Sequence, residues 1–342
     1  MGEAPGPATV GTAAGGAAAS EGGTAPATVA TAAPDGGPAN TDTDTDTNTD
    51  IDTDTNTDTD TDTDTDTSDP RHHVSRYFRL ERWELPPPPG SGLPSAFGGR
   101  TPVDAHLRGP AGGMRTGGLL TTADSLGGFL SGIAVLPKWI VTTSMMATVF
   151  RLAHEGPLLL HGEVLRKGRT SVVTALDVVD EGLGGTPVAR IIMTCAVLDP
   201  GGMDLRFERP FSLPMGPIDP DAPGPEEFFC IQPGEGPVTT LELADHLRNP
   251  WGILHGGAAA VLADVAACRA AGEAHPSGRG TPVAAADSVL HYLRPVRVGP
   301  VEARCEVLGG RPGRWLVQVA IHDVGADDRL VTAGSVTVVE AG

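Results

Sequence analysis

An internal repeat constrains the fold of this 342-residue chain more than any other feature of its sequence. One copy begins at His106-Leu107-Arg108 and ends at Asp124, and a second begins 140 positions later at His246-Leu247-Arg248 and ends at Asp264. A later pair of landmarks, Gly156-Pro157 and Gly299-Pro300, matches at an offset of 143. The repeat predicts two similar structural units, because each copy specifies the same elements in the same order.

The second copy has the pattern of a turn that leads into a helix. Asn249 and Pro250 are turn formers, and the run from Ala258 to Ala271 is mostly small or apolar residues with good helix propensity. A helix that is apolar all round must be buried on all sides. Gly256 and Gly257 leave amides uncovered at its N-terminus, where unpaired N–H groups suit an oxygen that carries negative charge. The pattern predicts an oxyanion or phosphate site, although such glycine pairs also occur as ordinary helix starts.

An acidic residue interrupts each apolar run at the same place. Asp264 lies seven residues after Gly257, and Asp124 occupies the equivalent position of the first copy. A carboxylate is rarely buried unless it is paired or used in chemistry. Either aspartate could be a structural hydrogen-bonding group, but their recurrence favours a functional role.

The formal net charge of −19 is concentrated near the N-terminus. Residues 1–70 hold 15 of the 43 acids and no Lys or Arg, which leaves 28 acids and 24 bases, a net charge of −4 (24 − 28). Nucleic-acid-binding proteins show a basic patch or stripe, so we predict no nucleic-acid partner. Residues 41–69 form a Thr-Asp repeat with no apolar face, and we predict that residues 1–72 are disordered. This segment could solubilise the chain, bind calcium or have no function.

The cysteines and the apolar runs bear on location. Four cysteines lie in apolar stretches without C-x-x-C spacing, which is typical of reduced core residues in a cytosolic protein: Cys195, Cys230, Cys268 and Cys305. The N-terminus lacks the basic region and apolar core of a secretory signal, and no apolar run approaches the length that spans a bilayer. We therefore predict a cytoplasmic protein without a membrane partner.

Each copy of the repeat is followed by four strand-like segments separated by Gly-rich or charged turns. In the first unit we predict a helix at 118–134 and strands at 138–152, 157–166, 170–179 and 188–198. In the second unit the helix ends near residue 274 and the strands cover 282–293, 301–308, 315–323 and 330–339. Shorter strands are predicted at 77–85, 228–232 and 238–243. The predicted domains are a tail at 1–72, a first unit at 73–198, a linker at 199–225 and a second unit at 226–342.

A long buried helix wrapped by a curved antiparallel sheet is an α+β arrangement. The pattern N-x-x-G-x-x-H-G-G-x-x-x-x-L-x-D from Asn249 to Asp264, followed by Tyr292-Leu293-Arg294-Pro295, resembles the PaaI-like acyl-CoA thioesterases of the hotdog fold. The first unit departs from it, since Gly109 replaces the Asn and Arg115-Thr116-Gly117 replaces His-Gly-Gly. The resemblance implies two tandem hotdog units that hydrolyse CoA thioesters, with CoA as part of the substrate and with no cofactor or metal.

Helix geometry predicts how such a site is assembled. Seven residues correspond to a rise of about 10 Å, so one helix cannot place its N-terminal amides and its own Asp around one carbon. If the two helices pack antiparallel, Asp124 faces Gly256 and Gly257, with Asn249 and the amides binding the carbonyl and Asp124 acting as base or nucleophile. Asp264 would form the reciprocal site, which lacks Asn and His and is expected to be degenerate or altered.

Six further residues are candidates for supporting or substrate-binding roles. The resemblance assigns His255 a mainly structural role in the glycine turn, with catalysis as the alternative. Arg294, Arg297 and their counterpart Arg151 could bind the phosphates of CoA or lie in solvent, and Arg115 is a further candidate. Trp251, which replaces Ala111 of the first unit, is expected to form a wall of the acyl pocket.

Two other functions remain open. A hotdog hydratase or dehydratase would use a His with an Asp or Glu in a local pattern that is not found here. The altered first motif also permits a non-catalytic acyl-CoA-binding regulator or scaffold, although both aspartates are retained. The predicted partners are a small acyl-CoA and a second copy of the chain, as a dimer of double-hotdog chains.

Overall fold

The protein is described by a computed structural model, which covers residues 74–86, 96–200, 212–278 and 280–341. The predicted disordered tail at 1–72 and residues 201–211 of the predicted linker lie outside these residues. The first half contains, in chain order, α1 Val74–Tyr77, β1 Glu81–Leu85, β2 Ala96–Thr101, α2 Thr116–Val135, β3 Trp139–Val149, β4 Leu158–Lys167, β5 Ser171–Asp180 and β6 Thr186–Leu198. The second half contains α3 Pro225–Phe228, β7 Ile231–Pro233, β8 Val238–Leu241, α4 Gly256–Ala274, β9 Val283–Tyr292, β10 Val301–Arg311, β11 Arg314–Asp323 and β12 Arg329–Glu340.

The twelve described strands form one antiparallel sheet that repeats itself. Its order is β1-β2-β4-β5-β6-β3 in the first half, continued as β9-β12-β11-β10-β8-β7 in the second. The halves meet where β3 pairs with β9, from Ser144 opposite His291 to Ala147 opposite Ser288. The two halves therefore share a continuous sheet and are related by a pseudo-twofold axis.

Each half wraps its sheet around one long helix, α2 or α4. In β11 the buried and exposed positions alternate, because one face of the strand packs against α4 and the other faces solvent. Both helices are buried along nearly their whole length, as an all-round apolar composition requires. The helices also pack against each other in the middle of the molecule.

Glycines allow this close contact between α2 and α4. A Cβ atom at Gly257 would lie 2.6 Å from Cγ2 and 2.7 Å from Cα of Thr121, and one at Gly117 would lie 2.7 Å from Cα of Val261. Thr121 and Val261 are themselves equivalent at the 140-residue offset. Each helix thus presents its N-terminal glycine to the second turn of the other, which is the antiparallel arrangement that the spacing predicts.

The predicted absence of a membrane-length apolar segment is wrong as stated. Helix α2 has 20 residues and a mean hydropathy of 1.2, which is enough to cross a bilayer by length and composition alone. In the structure 83 % of this segment is buried inside the protein. A core helix between a sheet and a second helix needs the same composition as a spanning helix, so this feature is weak support for a membrane segment.

The short elements before each long helix differ most from the prediction. The segment 77–85 is not one strand, because α1 ends at Tyr77 and β1 begins only at Glu81. Neither β2 nor α3 was predicted, and Phe228, the last residue of α3, was predicted as the first residue of a strand. Arg79 and Cys230 take positive φ values of 50° and 52° at the two corresponding turns, and periodicity does not reveal such turns. The eight longer strands and both long helices lie within a few residues of their predicted bounds.

Candidate active site

The loops that lead into α2 and α4 have the same geometry. In the second half the backbone N–H of Asn249 donates to Ile253 O, and Gly252 takes a positive φ of 67°. Gly109 and Gly112 make the equivalent turn in the first half, with Gly112 at φ 82°. Both turns end at the N-terminus of a long helix, so the two halves of the repeat contain two structurally equivalent turn-and-helix positions.

Asp124 of α2 lies at the N-terminus of α4. Its Oδ2 accepts a hydrogen bond from the backbone N–H of Gly257 at 3.0 Å, and its Oδ1 accepts one from Thr142 Oγ1 at 2.8 Å. The residue is only 7 % exposed. The N-terminus of α4 and these two donors hold the carboxylate in place. The structure therefore brings together Asp124 and the glycine turn that the sequence argument paired.

His255 caps α4 and lies against the same carboxylate. Its Nδ1 is 3.0 Å from the backbone N of Gly257 and 3.2 Å from Oδ2 of Asp124. Nδ1 accepts the backbone N–H of Gly257, which also donates to Oδ2 of Asp124, so His255 and Asp124 share one amide at the helix N-terminus. In this arrangement His255 orients the carboxylate and the turn.

Gly256 places its backbone directly beside Asp124. A Cβ atom at this position would lie 2.9 Å from Oδ2 of Asp124, so only glycine fits without displacing the carboxylate. The Gly256 carbonyl accepts a 2.9 Å hydrogen bond from the hydroxyl of Tyr292. Burial, and next the negative charge of Asp124, raise the pKa of Tyr292 well above its ordinary value. The phenol therefore stays neutral and remains a hydrogen-bond donor.

Asn249 shapes the loop with one half of its amide. Its Oδ1 accepts from the backbone N–H of Trp251 at 2.9 Å and of Ile253 at 3.4 Å, which forms an Asx turn. The carbonyl oxygen of the side chain is thus used within the loop, and Nδ2 is the group that can donate to a ligand. Gly109 cannot form this turn in the first half because it has no side chain.

A cavity of about 730 Å³ opens beside Asp124. Its wall includes Asp124, Asn249, Trp251, His255, Gly256, Tyr292, Arg294 and Arg297. Trp251 crosses between the halves, since its Nε1 donates to the carbonyl of Ile140 in β3 at 3.1 Å. The cavity therefore lies between the two units and has room for a ligand of small-molecule size.

The loop after β9 carries the two arginines of the cavity wall. Both Arg294 and Arg297 are exposed. The buried carboxylate of Asp323 accepts backbone N–H groups of Arg297 at 3.0 Å and Gly299 at 2.8 Å, which fixes this loop. Asp180 makes the equivalent bonds in the first half, where Gly156 N donates to it at 2.9 Å. The loop can thus present two cations at a defined edge of the cavity.

The reciprocal position is filled by protein groups. Asp264 accepts from Gly117 N at 2.7 Å, and its other oxygen is 3.7 Å from Arg115 Nη1 and 3.2 Å from Cys268 Sγ. The Arg115 side chain is 7 % exposed and also pairs with Glu226. Burial would lower the pKa of Arg115, but the charges of Asp264 and Glu226 raise it overall. The guanidinium of Arg115 neutralises the carboxylate of Asp264. At the equivalent position beside Asp124, the protein has His255 next to the cavity.

The predicted residues therefore separate into two groups. The backbone N–H of Gly257 holds the Asp124 carboxylate at the cavity. The predicted residues that line the cavity are Asp124, Asn249, Trp251, His255, Gly256, Arg294 and Arg297. Asp264 and Arg115 form a buried pair that is not among the lining residues, and the exposed Arg151 is not among them either. Arg115 thus bonds to protein carboxylates, which differs from its predicted contact with substrate.

Two residues of the site were missed by sequence reasoning. Thr142 lies on β3, and its contact with Asp124 depends on how the sheet curves around α2. A signal was present, because the equivalent position at the 143-residue offset is the apolar Ala285. Tyr292 was noted only as part of the Tyr-Leu-Arg-Pro pattern, and its hydrogen bond to Gly256 follows from the sheet alone.

Comparison with known proteins places this geometry in context. Residues 252–325 match the model of the Thioesterase superfamily. A comparison with curated proteins finds no match.

Three solved structures illustrate the similarity of fold. A protein from Lactobacillus plantarum assigned as an oleoyl thioesterase is 11 % identical, with a TM-score of 0.50 and coverage of 73 % of this chain and 97 % of that chain. The tesB protein of Mycobacterium avium subspecies paratuberculosis is 14 % identical, with a TM-score of 0.47 and coverage of 72 % and 92 %. The acyl-CoA thioesterase II TesB2 of Mycobacterium marinum is 17 % identical, with a TM-score of 0.44 and coverage of 71 % and 91 %. The predicted α+β fold of two tandem hotdog units is confirmed.

Proposed function

We propose that this chain, a hotdog-fold member of the thioesterase superfamily, hydrolyses acyl-CoA thioesters at one site formed by both halves of the chain. One observation carries the proposal. The carboxylate of Asp124 in the first half is bonded to the N-terminus of α4 in the second half, and both face the 730 Å³ cavity. A base, amide donors and room for a substrate therefore meet at one place.

The superfamily match supports the reaction class. It covers residues 252–325, which begin inside the glycine turn and include the whole of α4. The finer assignment to the PaaI-like group rests on the sequence pattern from Asn249 to Asp264 and on the observed role of its residues. Asn249 forms the turn, His255 caps the helix, and the two glycines bring the backbone to Asp124.

Each group has a defined part in the proposed reaction. The thioester carbonyl accepts hydrogen bonds from the Gly256 amide and from Asn249 Nδ2, which stabilise the negative charge of the tetrahedral intermediate. The Gly257 amide is committed to Asp124, so it holds the base and does not bind the substrate. Asp124 removes a proton from water, the water oxygen bonds to the carbonyl carbon, and the C–S bond breaks. The proton returns to the thiolate of CoA, and a free acid and CoA result.

Electrostatic features of the cavity fit a CoA ester. Arg294 and Arg297 lie at the cavity edge on a loop fixed by Asp323, where the phosphates of CoA would meet two cations. All the named groups are protein atoms, so the proposed reaction proceeds with no cofactor beyond the CoA of the substrate. We also propose that the protein acts in the cytoplasm, where CoA esters and reduced cysteines occur together.

Release of free thiol from a panel of acyl-CoAs is the direct test. We expect turnover with a plain acyl-CoA and loss of turnover in Asp124→Asn. A hydratase would change the absorbance of an enoyl-CoA without releasing thiol, and a binding regulator would bind acyl-CoA without turnover. Either result would reject the proposal.

A single turnover in water enriched in oxygen-18 tests the role of Asp124. If Asp124 is a base, the label appears in the free acid in the first turnover. An unlabelled first acid, with the label found in Asp124, would instead identify Asp124 as a nucleophile whose mixed anhydride is opened by water at the aspartyl carbonyl.

A further inference from the structure

The cavity leaves Asp124 between one helix and one strand. Asp124 of α2 accepts a hydrogen bond from Thr142 of β3. One turn further along α2, a Cβ atom at Gly128 would lie 4.0 Å from Cδ1 of Ile140, which is two residues back along β3. Both walls of the cavity therefore extend from Asp124 in the same direction. They lead to Phe129, which lies about 7.5 Å beyond Asp124 along the helix axis.

The wall of this part of the cavity is mostly apolar. Its apolar side chains come from α2, β3, the end of β6 and the segment that joins the two halves. They are Phe129, Trp139, Ile140, Val141, Leu198 and Leu213. Burial against such a wall favours a hydrocarbon group, because the gain increases with the apolar area removed from water.

Gly128 is a glycine that packing does not explain. The 4.0 Å separation between its Cβ position and Ile140 is an ordinary contact distance, so a side chain could begin there. The preceding Gly127 differs, because a Cβ atom would clash with Sδ of Met193 and lie 3.0 Å from Cδ1 of Leu176. Glycine inside a helix is less stable than alanine. Gly128 therefore lowers the stability of α2 and leaves space at the cavity.

The second half of the chain fills the equivalent position. Cys268 of α4 takes the place of Gly128 at the 140-residue offset, and its Sγ lies 3.2 Å from Oδ1 of Asp264. Neither Cys268 nor Asp264 is among the described residues that line the cavity. The thiol thus covers Asp264 one turn along its helix, where the first half leaves a path open beside Asp124.

A leucine from the segment between the halves lies at the far end of this path. The backbones of Leu213 and Arg82 exchange two 2.8 Å hydrogen bonds. Residues opposite each other in an antiparallel pair point to the same side. The guanidinium carbon of Arg82 lies 3.5 Å from the centre of the Phe129 ring, and Leu213 also lines the cavity. The Leu213 side chain is therefore placed next to Phe129, where the path ends.

We propose that Gly128 and Leu213 select the acyl group by its length, because Gly128 leaves the path open and Leu213 closes its end. This inference rests on the proposed function and names the substrate class as CoA esters of aliphatic acids. A chain of about six to eight carbons spans the distance of about 7.5 Å from Asp124 to Phe129 and reaches Leu213.

The first test fills the path. Values of kcat/KM are measured for acetyl-, hexanoyl-, octanoyl- and dodecanoyl-CoA, and the wild type should prefer hexanoyl- or octanoyl-CoA to the other two. Gly128→Leu should reduce the octanoyl-to-acetyl ratio by about 10- to 100-fold, since methylene groups excluded from an apolar pocket lose their binding energy. An unchanged ratio would overturn the role of Gly128.

An alanine at each of two helix glycines separates specificity from stability. The Cβ position of Gly272 in α4 has no atom within 4 Å, and Gly272 does not line the cavity. Both Gly128→Ala and Gly272→Ala should raise the Tm, because alanine favours a helix. Only Gly128→Ala should lower the octanoyl-to-acetyl ratio, and equal ratios in the two variants would contradict the inference. Gly128→Ala also carries the test if thermal unfolding shows that Gly128→Leu does not fold.

The second test moves the end wall. Leu213→Ala should shift the preferred substrate towards dodecanoyl-CoA, and Leu213→Trp should shift it towards acetyl-CoA. Leu308→Ala removes an exposed leucine of β10 outside the cavity wall and should retain the wild-type profile. Wild-type profiles in both Leu213 variants would overturn the role of Leu213.

Binding separates failure of this inference from failure of the proposed function. Affinities of the wild type and Gly128→Leu are measured for the unreactive thioether analogues of acetyl- and octanoyl-CoA. Hydrolysis of all four esters without a length preference would overturn the inference and leave the thioesterase proposal intact. A preference for the octanoyl analogue that Gly128→Leu removes, without hydrolysis of any ester, would support the inference and overturn the thioesterase proposal. No binding of either analogue and no hydrolysis would overturn both.

Discussion

At the scale of single residues, the two equivalent aspartates have different environments. Asp124 faces a cavity, accepts hydrogen bonds from Gly257 and Thr142, and lies 3.2 Å from Nδ1 of His255. Asp264 accepts from Gly117 and Cys268 and lies beside the guanidinium of Arg115. A buried carboxylate is stable only when it is paired, and the two aspartates have different kinds of partner. One pairing leaves access for a ligand and the other closes the site.

We predict that substitution separates these roles. Asp124→Asn should reduce turnover by about 10²-fold or more, because it removes the base but keeps the shape. Asp264→Asn should reduce turnover far less, but should lower the free energy of unfolding by about 3 kcal/mol because Arg115 loses a buried partner. Single-turnover hydrolysis and urea unfolding of both variants are the measurements. Loss of activity in Asp264→Asn alone would reject the assignment.

The buried thiol of Cys195 predicts a pH dependence of stability. Burial raises its pKa from 9.0 to about 12. The unfolded chain therefore loses this proton near pH 9 while the folded chain retains it, so stability present below pH 9 is lost as the pH rises towards 12. The loss should approach about 1.4 kcal/mol per pH unit.

The control for this prediction is Cys195→Val, which copies Val338 of the repeat. Other groups titrate in the same range, so the informative quantity is the difference between the two proteins. We expect the variant to gain stability relative to the wild type as the pH rises above 9 in denaturant titrations. Parallel pH profiles would show that this thiol does not contribute.

At the scale of secondary-structure elements, the contact of α2 with α4 is the central feature. Gly257 and Gly117 allow the two backbones to approach, and this approach sets the distance between Asp124 and the N-terminus of α4. Thr121 reinforces the contact, because its hydroxyl donates to the carbonyls of Gly117 and Gly257. The glycines therefore serve helix packing and site geometry together.

Two glycines of α4 provide a matched pair of substitutions. Gly257→Ala would force a Cβ against the backbone of Thr121, and should cost about 1–3 kcal/mol of unfolding free energy. Gly272→Ala meets no atom within 4 Å and should increase stability by up to about 1 kcal/mol through helix propensity. Thermal unfolding of both proteins measures the difference. Equal effects would contradict the close-packing argument.

At the scale of the whole molecule, one chain contains both hotdog units. The two halves share a sheet across β3 and β9, and the cavity uses residues of both. The outer surface carries exposed apolar side chains, among them Met146, Phe150 and Leu316. Exposed apolar groups of this kind are compatible with association of chains.

We predict that the chain is at least a dimer in solution. Burying the exposed apolar side chains against a second copy would remove them from water. Light scattering of the full chain should give a mass of twice 35.0 kDa or more. A particle of 35.0 kDa at micromolar concentration would contradict this prediction, without affecting the proposed site, whose residues all belong to one chain.

The sequence by itself determined the repeated architecture and the pairing of its central groups. The bounds of α2 and α4 follow from runs of small apolar residues after glycine turns, and the long strands follow from alternation. The rise of a helix was enough to predict that Asp124 and not Asp264 meets Gly256. These inferences succeed because they depend on neighbours in the chain and on fixed helix dimensions.

Only the tertiary structure decided what surrounds each aspartate. Arg115 reaches Glu226 across 111 positions, and Trp251 reaches Ile140 across the same separation. The contacts of Thr142, Tyr292 and Arg82 likewise depend on how the continuous sheet wraps around α2 and α4. The periodicity of a segment indicates which face of a helix or strand is buried. It does not indicate which side chain from a distant segment packs against that face. The difference between an open site and a closed one therefore arises from packing between segments far apart in the sequence.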